Sequence, residues 1–409
     1  MSFHERFGDL RGRALWVVFG CLVCQLGLGF GYVTAPLLKD ITVSLDISRS
    51  VWSSAGSARI WVISLASPVL GLMLVRFGAR PILVVASLML APAFFWFSIM
   101  NHVWELVGAN VLLGFVLLGF GDVTLGAVVT TWIARGRGLA LGVVYTGSNL
   151  AGVILPPLVT YFAARGSWRH ALLYVGIGGT LLILPFAARV VRERGAGGAM
   201  EAVSISASNL GHQADLDLGA ALKTRSFWVL GFALAGFFFY MIGILEHFIA
   251  SLTDSGLSRV NAAGYFSAAI GMGLVSKVLM GAVADRISSR PAILIDFGLL
   301  ALSSGVLLFV PERPFLQVFV VLFGFSYAAR DVVYPLVIAE CFGVRYLAAI
   351  YGALMVVLAP AGTLGGVFSG FCFDRFGSYD VAFQTFAIVN VLVFGSLFLL
   401  RPEKELVHG

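Results

Sequence analysis

Gly281-Ala-Val-Ala-Asp285-Arg286-Ile-Ser-Ser-Arg290 joins two long apolar runs, and 210 residues earlier Gly71-Leu-Met-Leu-Val-Arg76-Phe-Gly78-Ala-Arg80 joins two others. Both stretches place a glycine, a charged centre and a closing arginine at one spacing. At the same shift Ser48-Arg49 falls on Ser258-Arg259 and Arg80-Pro81 on Arg290-Pro291. At a shift of 211, Gly166-Ser167 falls on Gly377-Ser378, Trp168 on Tyr379 and Ala171 on Ala382. The chain is therefore a duplicated unit, and paired helical bundles around a midplane site are a common product of such duplication in membranes.

Outward from these loops the sequence resolves into apolar runs of membrane length, at 14–38, 51–75, 81–100, 106–131, 138–162, 168–190, 226–252, 260–282, 291–310, 315–340, 347–372 and 381–400. Each is long enough to cross a bilayer as a helix. Of the 409 residues, 59% are hydrophobic and 12% charged, with a mean hydropathy of +0.95. A soluble domain carries about twice that share of charge, so lipid is the solvent, and soluble enzymes, disordered chains and secreted disulfide scaffolds are excluded. The expectation is an all-α, polytopic protein: a six-helix bundle over 1–188, a polar linker over 189–225 and a second bundle over 226–409. With both termini cytoplasmic, the inner segments hold 17 Lys and Arg and the outer loops 7, which sets that orientation. The basic residues are scattered singly, so nucleic-acid binding is not expected.

The four cysteines lie in or at the ends of apolar segments, and Cys21-Leu-Val-Cys24 reads as packing, not as a redox or metal pair. The first apolar run is longer than the core of a cleavable signal, so that segment is expected to stay in the membrane. The sequence contains no HExxH and no GxxxxGK[ST], and neither a cofactor nor a catalytic centre is expected. The protein is expected to be a monomer whose partners are a small-molecule substrate, a proton and the bilayer.

The two loops resemble the G-x-x-x-D-R-x-G-x-R signature of the major facilitator superfamily. Gly370-x-x-x-Asp374-Arg375-x-Gly377 is a weaker copy, and Trp132 with Arg137-Gly138-x-Ala140-x-Gly142 resembles the usual start of the fifth helix. The resemblance covers the whole chain. It implies twelve helices in two pseudo-symmetric bundles, rocker-switch alternating access, and a gating role for Gly71, Arg76, Gly78, Arg80, Gly281, Asp285, Arg286 and Arg290. Val75 stands at the acid position of the first copy. Within the superfamily the chain is most similar to the monocarboxylate and oxalate:formate group. The residues that carry this are the proline-ended first span with Lys39-Asp40, Tyr240, His247, Asp254-x-Gly256-x-Ser258, and Lys277 four residues before Gly281. The resemblance implies proton symport of a small organic anion, a monocarboxylate, across a bacterial inner membrane. The alternatives on the same fold are an oxalate:formate exchanger and a drug exporter, and Ser148 after Gly147, where drug:proton exchangers usually carry Gly-Pro, lowers the latter.

Charges within spans are costly and mark functional candidates. Lys277 has no acid among its flanking residues; it either binds substrate or pairs with an acid on another span. Arg330, near mid-span, is open between a bidentate carboxylate contact and a structural bridge. Asp331 leaves the helix about 100° further round and is expected to be a poor partner for it. On the family's cavity-lining spans, Asp122, Glu246 and His247 are the proton-coupling candidates, each balanced against a structural reading. The Gly119-Phe-Gly-Asp122 string also occurs in intramembrane aspartyl proteases, but the second aspartate such an enzyme needs is absent upstream. Asp296 is expected on the bundle exterior beside a loop arginine, and Arg59 in a structural pair. Tyr32, Tyr240, Tyr327 and Tyr334 offer hydroxyls to an anion, and tyrosine is equally ordinary packing. Because only the second loop keeps the acid, Asp285→Asn should impair transport more than any substitution at Val75, measured as uptake at matched protein levels; normal transport by Asp285→Asn removes the gate argument.

Overall fold

Backbone polar groups in hydrocarbon must be satisfied within their own segment, which leaves helices as the spanning form for a chain of this pattern. The computed structural model describes residues 12–133, 137–192, 216–310, 312–343, 346–401 and 403. The side chains of Gly281, Asp285, Arg137, Gly138 and Val75, and most of the polar linker, lie outside the described set.

Among the described residues eleven segments are long and apolar enough to span a membrane. The first, second and third are Arg13–Leu45, Arg49–Leu74 and Ala79–Ile99, followed by Val103–Trp132, Ala140–Arg165 and Trp168–Val190. After the linker come Arg225–Asp254, Ser289–Leu307, Pro314–Phe342, Ala349–Phe376 and Asp380–Leu397. The 29-residue helix Arg259–Ile287 fills the eighth place, so the helices number as the apolar runs do.

Several spans are broken where their residues require it. The first passes from α-helix at Arg13–Gln25 into a 3-10 stretch, Leu26–Tyr32, through Leu-Gly-Leu-Gly-Phe-Gly-Tyr. A Cβ at Gly29 would collide with Ala151 and the Ser148 carbonyl, so glycine lets the first span approach the fifth closely. The fourth span stops at Gly119 and restarts at Asp122, with Gly121 extended between the two helices.

The chain divides into two compact units, Met1–Leu45 with Ala58–Ser208, and Asp46–Ser57 with Asn209–Gly409. In the first, the fifth helix packs on the start of the first span and the third on the sixth; in the second, the tenth helix packs on the eighth and ninth, and the seventh on the eleventh. Gly147 lies against the first span at Leu22 and Gln25, whereas a Cβ at Gly142 would meet nothing.

The duplication is visible in the backbone of the two signature loops. Gly78 has φ 77° and ψ 171°, and Ser288, its counterpart 210 residues on, has φ 70° and ψ 165°. The arginines that follow also correspond: Arg80 donates to the Ala188 carbonyl at the end of the sixth span, and Arg290 to the Leu400 carbonyl after the twelfth. Each loop is thus tied to the last helix of its own unit. Glycine holds this conformation freely; a residue with a Cβ stores about 1–3 kcal/mol of strain there. Ser288→Gly should therefore raise stability by roughly 1 kcal/mol, read as a higher Tm of the detergent-solubilised protein, and Gly78→Ser should lower it.

Candidate functional site

Lys277 projects from the eighth helix and Arg330 from the tenth. Gly324 admits the backbone of Ala269, and the Ser276 hydroxyl donates to the Phe325 carbonyl, so these two helices lie nearly in contact. That approach brings Lys277 to the acid of the neighbouring helix: its Nζ is 3.3 Å from Asp331 Oδ2. Arg330 Nη2 reaches Asp331 Oδ1 at 2.5 Å. The expectation that adjacent Asp331 would be a poor partner for Arg330 is corrected here, because a long guanidinium side chain curls back across the 100° that separates the Cβ directions. One carboxylate therefore holds two cations.

The arrangement is graded in exposure. The Lys277 side chain is 13% exposed and that of Asp331 40%, while Arg330 is 8% exposed. Its guanidinium carbon lies 4.9 Å from the Phe237 ring centre and 5.3 Å from that of Phe238, a cation–π bed from the seventh helix. Arg330 Nε and Nη1 are buried without a hydrogen-bond partner. Unused donors of a buried cation are uncommon in a finished core and suit an anion that arrives later.

The tyrosines divide. Tyr334 is buried and donates to the Leu230 carbonyl at 2.7 Å. Tyr240 is buried and shares a hydrogen bond with Ser303 at 3.1 Å. Their hydroxyls are engaged inside the unit and fix the seventh helix to the ninth and tenth. Tyr327, stacked on Phe323, and Tyr32, at the end of the 3-10 stretch, are half-buried. Asp296 departs from its expected exterior place beside a loop arginine: it is 1% exposed and interacts electrostatically with Arg330 and Asp331.

In the first unit Asp122 opens the second half of the fourth span. Its Oδ1 accepts from Gln25 Nε2 at 2.7 Å, and Tyr145 donates to its backbone carbonyl at 3.0 Å. The break at Gly121 thus presents an exposed acid beside the bend in the first span.

Glu246 is buried, and His247 belongs to a network at the far end of the seventh helix. The His247 Nε2 meets the Gly366 carbonyl at 3.0 Å and Ser53 Oγ at 2.8 Å. A carbonyl only accepts, so Nε2 carries the hydrogen, and Nδ1 faces the Tyr379 hydroxyl at 3.1 Å. Tyr379 also accepts from Arg49 Nη1 at 2.5 Å, and burial pushes its phenol above the usual range. Arg49 further pairs with Asp254 at 2.5 Å and lies 3.4 Å from the Phe373 ring centre. The Asp374 carboxylate accepts from the backbone N–H groups of Arg49 and Ser50 at 2.9 and 2.8 Å, neutralising the start of that helix. This network accounts for the grouping of Asp46–Ser57 with the second unit. Sequence reading missed Arg49 because a cation at a span end looks like any loop charge; its match to Arg259 in the repeat was the available signal.

Of the gating candidates, Arg80 and Arg290 carry the carbonyl contacts described above, Arg76 lies over the Phe77 ring, Arg286 is exposed, and a Cβ on Gly71 would meet nothing.

Twelve membrane helices in a duplicated arrangement, with a half-buried lysine and a buried arginine converging on a carboxylate inside the membrane region, define a polytopic transporter. The sequence model described as Major Facilitator Superfamily matches residues 17–313 and 273–408, and the chain belongs to that family. It is 31% identical over 132 residues to MFS-type transporter AFUA_1G00970 of Aspergillus fumigatus, which covers 32% of this chain and 29% of that protein. It is 27% identical over 386 residues to Monocarboxylate transporter 11 of Homo sapiens, covering 90% of this chain and 79% of that one. The fold is shared with a bacterial homologue of the human lysosomal transporter Spinster in its inward-facing, unoccupied conformation, at a TM-score of 0.75 and 14% identity, over 95% of this chain and 97% of that chain. The protein is a membrane transporter of this superfamily, not an enzyme.

The Arg49 network generates a stability prediction. Lysine keeps the charge but cannot serve Asp254, Tyr379 and the Phe373 face together. Arg49→Lys should cost about 1–2 kcal/mol, seen as a lower Tm; an unchanged melting curve would show that the network contributes nothing measurable.

Proposed function

We propose that this transporter carries a small monocarboxylate together with a proton, the anion held by Lys277 and Arg330. The observation behind this reading is that both cations already grip one carboxylate, that of Asp331, at 3.3 and 2.5 Å, while Arg330 keeps unused donors. Groups placed to hold a resident carboxylate are placed to hold a transported one. The similarity to monocarboxylate transporters supports the same substrate class. Tyr327, half-buried on the same helix as Arg330, is the tyrosine of this unit suited to contact the anion; Tyr240 and Tyr334 serve it by positioning helices.

In this reading the two units alternate access to the site, the signature loops act in gating, both termini face the cytoplasm, and a monomer in the bacterial inner membrane is sufficient. A proton gradient supplies the driving force, since anion binding and protonation of a nearby group favour each other.

Counterflow in proteoliposomes with short monocarboxylates, dicarboxylates and cationic drugs tests the substrate class. Monocarboxylates should exchange, and saturation of counterflow by a cationic drug in their place would reject the proposal. Lys277→Gln should abolish anion binding and Lys277→Arg should retain part of it, because charge is required and its exact carrier is not; binding unaffected by Lys277→Gln would leave Arg330 as the sole anchor.

A further inference from the structure

Within the first unit, the second, third and fourth helices leave an open groove of about 380 Å³ whose walls carry no polar side chain. Ala66, Met73 and Phe77 line it from the second helix, Pro81 and Val85 from the third and Phe115 from the fourth. From Ala66 to Phe77 a helix rises roughly 16 Å, half the thickness of a hydrocarbon core of about 30 Å. The groove therefore runs the depth of one leaflet and ends at the first signature loop. Two arginines stand at that end. The Arg76 guanidinium carbon lies 5.3 Å from the centre of the Phe77 ring, itself a wall of the groove. Arg80 immediately precedes Pro81 and is tied to the Ala188 carbonyl. Both arginines are exposed, and among the described residues neither is paired with an acid. The sequence has no acid between Asp46 and Glu105, and Val75 stands where the second loop has Asp285.

We infer that this groove binds an anionic phospholipid of the leaflet on the side of the signature loops, one acyl chain along the apolar walls and the phosphate on Arg76 and Arg80. Walls without a polar group cannot hold a hydrated carboxylate, so a transported anion has no place here. A protein helix, at least about 10 Å across, needs roughly three times this volume over the same length, whereas a single hydrocarbon chain fits. Apolar contact gains little in a bilayer, where the alternative is another lipid tail. The groove therefore supplies position, and the headgroup supplies selectivity. Arginine grips a phosphate bidentately, and each basic residue at the membrane surface favours an anionic lipid by about fivefold. A zwitterionic lipid brings an ammonium as well, and this loop has no carboxylate to receive it. The bound phosphate holds the end of the second helix to the start of the third. This site is in the other unit from Lys277 and Arg330 and does not depend on what the protein carries.

The test is native mass spectrometry of the purified full-length protein, titrated with phosphatidylglycerol or phosphatidylcholine of identical acyl chains. Wild type should retain one phosphatidylglycerol with an affinity more than about tenfold above that for phosphatidylcholine. Arg76→Gln should weaken phosphatidylglycerol binding about fivefold and leave phosphatidylcholine unchanged, while Arg76→Lys, which also controls for folding, should keep most of the preference. Met73→Trp, which fills the groove, should abolish the one-to-one binding although every arginine remains. The inference is overturned if wild type retains the two lipids equally, which would mean annular lipid only, or if the preference for phosphatidylglycerol survives undiminished in Arg76→Gln or in Met73→Trp.

Discussion

A charge in the interior of a membrane protein must meet an opposite charge or water, and around Lys277 and Arg330 that constraint is met by one side chain, Asp331. Its carboxylate joins Lys277 of the eighth helix to Arg330 of the tenth. The helices come close enough for this because Gly324 has no side chain and because Ser276 spends its hydroxyl on a backbone carbonyl. Tyr240, Tyr334 and the phenylalanines around Arg330 complete the wall. The packing of the seventh, eighth, ninth and tenth helices can thus be understood as the support of a small set of charges, of which Asp331 is the most exposed.

A second cluster, around Arg49, is built on the same principle with different chemistry. Here the cation meets Asp254, a phenol and an aromatic face, while Asp374 neutralises the exposed N–H groups at the helix start. His247 is drawn into this cluster by both ring nitrogens. Its ring is therefore oriented by several partners at once, which a histidine seen only as a titratable residue in a span would not suggest.

Much of the site was visible as residue types and little of it as pairs. Lys277 and Arg330 stood out because a cation in an apolar run is conspicuous. Asp331 was undervalued because a helical wheel follows Cβ directions, whereas an arginine is long enough to fold back on its neighbour. Asp296 was placed outside because nothing in a span of mixed small and apolar residues says which face meets the tenth helix. The same limitation applies to Tyr240 and Tyr334, whose hydroxyls found partners on the ninth and seventh helices.

The sequence by itself determined the membrane class, the number and order of the helices, the duplication and the family, because hydropathy and a repeated loop motif are local and additive along the chain. The repeat also puts Gly78 and position 288 at corresponding points of the two loops, although only the backbone shows that Ser288 holds a conformation suited to glycine. The tertiary structure alone decided that Asp331 bridges two cations, that Asp296 is buried inside the unit, and that the first residues of the second helix belong with the second unit. Those outcomes depend on helix rotation and close approach, and these are settled by how side chains from distant parts of the chain fill and neutralise a shared interior.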